Sequence, residues 1–250
     1  AACRQRIHSP KCRGSRKSAR KTAYFHALGI VVEWKKRNDK SELQKQFGEE
    51  YEMVKNENQD LLNNVRHHIQ NAFGNDISSD EFISPDGDSV TIVSCKNGMQ
   101  PGVTAHATLG VCLYPKPSLQ QGEHIAHEFI GVENEDDDIV REILSTCAYC
   151  VMDGMSVQPF SCWANLLPLY MPKSKLKHVF FLPAYLWGDK LLMSNFENIT
   201  VFYLLVCPLS DKEADFVSKF HDNSVGIKNL IEKMEKKKAY IFDFNREPIF

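Results

Sequence analysis

Between Ile139 and Met152 the apolar residues Ile139, Val140, Ile143, Leu144, Cys147, Ala148, Val151 and Met152 fall in two adjacent stripes. Side by side, two i, i+4 stripes make one wide face, so this segment is a helix that must be covered along most of its length. Asp136, Asp137 and Asp138 stand at its start, where carboxylates meet unpaired backbone N–H groups and the positive end of the helix dipole. What covers the helix is suggested by its flanks. Val90 to Cys95, Val103 to Tyr114 and His124 to Val132 precede it with strand-like patterning, and Lys177 to Leu182 and Ile199 to Val206 follow it as short core strands. The first three suggest an antiparallel sheet, punctuated by turn signals at Pro85-Asp86-Gly87-Asp88 and Asn97-Gly98 and by a loop from Pro115 to Gly122. The expected class is α+β, a mixed α/β chain with a largely antiparallel or mixed sheet flanked by helices.

Further helices are expected. Leu61, Leu62, Val65, Ile69 and Phe73 share a face behind polar Asn56 to Asp60, and Gly74 ends that helix. Ser210-Asp-Lys-Glu213 fits a capping box, placing a helix from Asp211 to about Phe220. Another begins at Ser224, with Val225, Ile227, Leu230, Ile231 and Met234 as its apolar face, and Tyr240 to Phe244 has the pattern of a closing strand. The Pro-rich stretch from Pro159 to Pro172 carries no clear periodicity.

Charge divides the chain near Met53. Up to Glu52 there are 13 Lys and Arg against 6 Asp and Glu; from Met53 onward, 17 against 26. Residues 1–52 therefore form a basic extension, disordered by composition at least through Thr22, or not native to the domain, and residues 53–250 form the domain. The extension has three readings: a nucleic-acid-binding arm, a solvated tail, or translated upstream sequence. Codons for Gly48, Glu49 and Glu50 are purine-rich and lie just before Met53, which is where a ribosome-binding site would sit. The last reading is favoured, with Met53 as the natural start.

Several chemistries are disfavoured. The longest apolar run, Ile199 to Leu209, is too short to span a bilayer and contains Thr200 and Pro208, and the N-terminus lacks the apolar core of a secretory signal. A cytoplasmic protein is expected, and the eight cysteines have no framework spacing that would imply disulfides. Cys147 and Cys150 have CxxC spacing but no second ligand pair, so core thiols are expected. His124 and His127 have the wrong order for a zincin and an odd offset that separates them on a strand. No metal and no cofactor is assigned. Neither a nucleophile elbow nor a phosphate-binding loop is present, so a non-enzymatic protein is expected, with a Cys- or His-dependent hydrolase as a distant third reading. Trp163, Trp187, Tyr185, Phe160, Phe180 and Phe181 suit a core, and an acidic domain argues against direct nucleic-acid binding.

Six blocks in order resemble one family: Gly102-Val-Thr-Ala-His-Ala-Thr-Leu-Gly110, His127-Glu-Phe-Ile-Gly131, Ile143-Leu-Ser-Thr-Cys147, Lys177-His-Val-Phe-Phe-Leu-Pro-Ala-Tyr-Leu-Trp187, Val201-Phe-Tyr-Leu-Leu-Val-Cys-Pro-Leu-Ser-Asp-Lys-Glu213 and Ile241-Phe-Asp-Phe-Asn-Arg246. They resemble the suppressor-of-fused domain, in its bacterial immunity and antitoxin branch, across essentially Met53 to Phe250. The resemblance implies a sheet flanked by helices, binding and neutralisation of a cognate protein toxin, often a nuclease of a secreted system, and no catalysis or cofactor. The alternative it leaves is a regulatory adaptor that sequesters another protein such as a transcription factor. The blocks are mostly apolar and transfer no interface residue. The acidic run Glu133, Glu135, Asp136, Asp137 and Asp138 supplies the candidate partner-binding residues, by electrostatic steering of a basic partner, with helix capping as the competing role.

Overall fold

Alternating strands with long apolar helices give a layered solution, since each element has one face to bury. The computed structural model describes residues 48–84, 87–118, 123–134 and 138–250. The basic stretch 1–47 lies outside the described residues, as do Pro85, Asp86, the second half of the predicted 115–122 loop (119–122), and Glu135, Asp136 and Asp137. The backbone opens with α1 (Gly48–Phe73), which runs continuously through Met53. Gly74 ends it at φ +115°, its N–H donating to Gln70 O at 2.8 Å.

A nine-stranded sheet follows: β1 (Ile77–Ile83), β2 (Ser89–Lys96), β3 (Val103–Leu109), β4 (Lys116–Pro117), β5 (His124–Asn134), β6 (Cys162–Trp163), β7 (Leu176–Pro183), β8 (Met193–Phe196) and β9 (Ile199–Ser210). The order is β1-β2-β3-β5-β9-β7-β6, with β4 added to β5 and β8 to β9. All pairings are antiparallel except β5 with β9, which run parallel. The fold is thus α+β with a mixed sheet. Both central strands are buried along most of their length, as a parallel pair covered on both faces requires.

The two faces have different covers. Along β9, Val201, Tyr203, Leu205, Cys207 and Leu209 pack in one core with Val65 and Ile69 of α1 and with Val217, Ile227 and Leu230 from α3 (Asp211–Ser218) and α4 (Asn223–Lys236). Leu204 and Val206 point the other way, into the core under α2 (Ile139–Met152), where Val140, Ile143, Leu144, Cys147 and Val151 are buried. On β7 a register shift between Leu176 and His178 reverses the parity, so that even-numbered Leu176 joins Val179 and Phe181 under α2. Gly131 of β5 is required by this packing: a Cβ there would lie 2.3 Å from Val140 Cγ1.

Some expectations are corrected. The strand from Val103 stops at Leu109, because Gly110 turns the chain at φ +129° into a 3-10 turn at Val111–Leu113. β1 and β8 carry no sequence signal; β1 is an edge strand exposed at most positions, which removes the alternation. Tyr240 to Phe244 is not a strand, because its buried Ile241 and Phe244 pack onto the two cores without a hydrogen-bonded neighbour. In α4, Val225 is exposed, and buried Gly226 takes its place where α4 meets α3. The Pro-rich region holds β6 and a 3-10 turn at Leu167–Leu169.

Candidate functional site

β5 delivers the acidic run directly to the start of α2, and the described members of the run part company there. Glu133 pairs with Thr104 of β3, and its side chain points inward, leaving the residue 8% exposed. Glu133 Oε2 accepts the Val140 N–H at 3.0 Å, and Oε1 lies 2.8 Å from His106 Nε2. On its other side His106 Nδ1 is 2.7 Å from Ser94 Oγ. Ser94, His106 and Glu133 therefore form a line across β2, β3 and β5 that ends on the first turn of α2. Glu133 is the carboxylate that satisfies the helix N-terminus, and it has no surface to offer a partner, contrary to the sequence expectation. Asp138 holds the N-cap position yet makes no capping bond. Its exposed carboxylate pairs with Arg141 at 2.5 Å, and Arg141 reaches Asp80 of β1 at 3.0 Å. Glu135, Asp136 and Asp137 lie outside the described residues.

A Ser-His-Glu line resembles a hydrolase relay in composition. Here the serine is buried beneath α2, its partner carboxylate is committed to a backbone N–H, and neither cavity described for this protein opens on Ser94. The arrangement fits helix anchoring. The Cys147 and Cys150 thiols are equally unsuited to nucleophilic work: burial pushes the Cys150 thiol up to about 11, and burial raises the Cys147 thiol well above its ordinary value. Among the described residues no three His, Cys, Asp or Glu side chains gather as a metal site, and no helix is long and apolar enough to cross a membrane.

Beside the acidic run a cleft of about 300 Å³ opens between the start of α2 and the C-terminal segment. Ile139 and Asn134 form one wall, and Tyr240, Phe242 and Asp243 the other. Tyr240 is 62% exposed and stacks on Phe242, with ring centroids 5.6 Å apart at 18°. An irregular segment needs ties, and these come from further along. Arg246 forks onto Glu213, Nη1 to Oε1 at 2.7 Å and Nη2 to Oε2 at 3.0 Å, while Nη2 also donates to Pro208 O at 2.7 Å. The Ile249 N–H donates to Glu213 Oε1 at 2.9 Å, and Lys237 Nζ to Ile249 O at 2.7 Å. The wall is thus an exposed tyrosine stacked on a partly buried phenylalanine, on an anchored support. Sequence reasoning missed it because alternation at Tyr240 to Phe244 looks like a strand. Of the other aromatics, Trp163, Phe180 and Phe181 are core residues, Phe160 and Trp187 are partly buried, and Tyr185 is exposed.

Comparison with known proteins adds to this geometry. A family model described as suppressor of fused protein (SUFU) matches residues 86–247. Immunity protein YqcF of Bacillus subtilis (strain 168) is 28% identical over 162 residues, covering 64% of this chain and 82% of that protein. Among solved structures, a putative SUFU homolog from Neisseria gonorrhoeae FA 1090 superposes with a TM-score of 0.55 at 15% identity, covering 76% of this chain and 97% of that one. The Sufu-Fu complex structure gives 0.51 at 12% identity, covering 74% and 90%. At these identities the solved structures speak for the fold alone.

Proposed function

This chain belongs to the suppressor-of-fused family, and from that premise we propose that it is a cytoplasmic immunity protein that binds a toxin protein and blocks it without catalysis of its own. The relative named an immunity protein supports the role. The observation that carries it to a surface is the cleft beside α2, where the Tyr240 and Phe242 rings face Asn134 and Ile139 beside partly buried Asp243, with exposed Asp138 and three further acidic residues in the sequence adjoining its wall. Interface centres favour aromatic anchors, and acidic rims speed the approach of a basic protein. A nuclease suits such a surface, because its substrate-binding face is basic and a carboxylate-rich cover competes with phosphate. The occluded Ser94 and the raised thiols support a binding role over a hydrolase.

The test is co-expression with the product of the adjacent gene, scoring survival and complex formation. Rescue with a stable complex is expected. Tyr240→Ala is expected to leave the thermal midpoint unchanged and weaken the complex by about 2 kcal/mol, roughly thirtyfold in Kd; unchanged affinity would place the interface elsewhere. A stable complex with a non-toxic neighbour would move the reading to an adaptor that sequesters its partner.

A further inference from the structure

α2 is 14 residues long, about 21 Å from end to end, and the acidic cleft lies at its N-terminal end. Under its other end is a second cavity of about 200 Å³, walled by Ile125 of β5, Phe202 of β9, Val151 and the Met155 and Val157 side chains beyond the helix. Most of this wall is apolar, and His127 of β5 breaks it. His127 is 8% exposed, sits 6.2 Å from the Phe202 ring in a tilted arrangement, and makes no hydrogen bond to any described residue. Its ring nitrogens are not among the fully enclosed unpaired polar atoms of the described residues, so they stay open toward the cavity, where a ligand atom can meet them. Burial also lowers its pKa to about 4, which leaves a neutral ring with one N–H donor and one acceptor. Two more groups line the same cavity: the partly buried phenol of Tyr114 and the exposed ammonium of Lys116 on β4. Lys116 forms no ion pair with a described residue.

Each part restricts the occupant. An enclosed apolar volume of about 150 Å³ accommodates benzene, so this cavity has room for one ring and a small substituent. The imidazole N–H and the phenol O–H call for an acceptor, and the lysine calls for negative charge. We propose that the cavity is a binding site for a small aromatic carboxylate, its ring among Ile125, Met155 and Phe202 and its carboxylate held by His127, Tyr114 and Lys116. The site is separate from the cleft beside the acidic run and does not depend on the identity of any toxin.

The test follows the His127 ring C–H signals of the full chain by NMR while benzoate, or its uncharged isostere benzamide, is added at low salt. Benzoate is expected to bind with a Kd of about 1 mM or tighter and to shift the His127 signals. Lys116→Gln, an exposed and conservative change, is expected to weaken benzoate about fivefold or more and leave benzamide unaffected. His127→Phe, with its fold checked by circular dichroism, is expected to lose about tenfold in benzoate affinity. The proposal is overturned if benzoate at about 10 mM leaves the His127 signals in place. It is equally overturned if benzamide binds as well as benzoate and Lys116→Gln changes neither.

Discussion

Glu128 of β5 and Glu213 of α3 are both 0% exposed, and the protein holds them in opposite ways. Glu213 sits in the C-terminal half with a guanidinium forked onto it and the N–H groups of Ser210 and Ile249 aimed at it. Burial pushes its pKa up, but Arg246 and those N–H groups outweigh burial and bring it below the ordinary carboxylate value. Among the described residues no cation pairs with Glu128. Its Oε1 accepts the Gly110 and Cys112 N–H groups at 2.9 and 3.0 Å, and Oε2 accepts the Thr108 hydroxyl. Burial wins there, and the pKa rises to about 7. Hydrogen-bond donors alone, at full burial, do not replace a countercharge.

The strongest way to break this contrast is to remove the cation. Arg246→Met leaves Glu213 charged and enclosed and deprives Pro208 O of a donor, so urea denaturation at pH 7 is expected to show a loss of about 3–5 kcal/mol. Adding Glu213→Gln should recover part of it; no recovery would mean that Arg246 acts through packing alone.

Next in size is a pH effect at Glu128. A carboxyl with a raised folded-state pKa binds an extra proton when folded, so its contribution to stability is complete below about pH 4.5 and is lost as pH rises through about 7, a change on the order of 3 kcal/mol. Adjacent His127 works the other way. With its pKa lowered from 6.5 to about 4, its contribution is present above 6.5 and lost as pH falls. Between pH 4.5 and 6.5 the two slopes nearly cancel. Glu128→Gln, which keeps an acceptor for Gly110 and Cys112, should therefore make stability rise with pH relative to the parent, and His127→Gln should make it fall. Denaturation midpoints across that window decide; parallel curves for both variants would refute the opposition.

Smaller effects test the supports. Gly110 offers its N–H to Glu128 at φ +129°, a conformation that costs an L-residue, so Gly110→Ala is expected to lose about 1–3 kcal/mol, read from the urea midpoint. Ser210→Ala removes the N-cap acceptor beside Glu213 and is expected to cost about 1 kcal/mol by the same assay, because Arg246 still neutralises the carboxylate.

Legibility in the sequence followed locality. The capping box at Ser210 and Glu213 lies within four residues and is found as expected. Arg246, 33 positions from Glu213, has no local signal, so the deeper role of that glutamate is invisible without the fold. The acidic run shows the same limit. Its charge points to a surface, but strand parity turns Glu133 inward onto His106 and Val140, and parity depends on a register that no single strand reveals. Likewise, the wide face of α2 was plain from its stripes, whereas the Tyr240 and Phe242 wall exists only because distant residues tie an irregular segment down.

The parallel pairing of β5 with β9 also has a consequence in time. His124 meets Ile199, so the centre of the sheet joins residues 75 positions apart, while β1, β2 and β3 are linked by short turns. Closing the long loop carries its entropy cost before any pairing energy returns, and chains dominated by such contacts fold slowly. The β1 to β3 meander can form as soon as it is synthesised, but the edge of β5 stays open until β9 has emerged. Until then that edge is a template for any extended chain nearby, which makes the interval between the two strands the period when this protein is most exposed to mispairing.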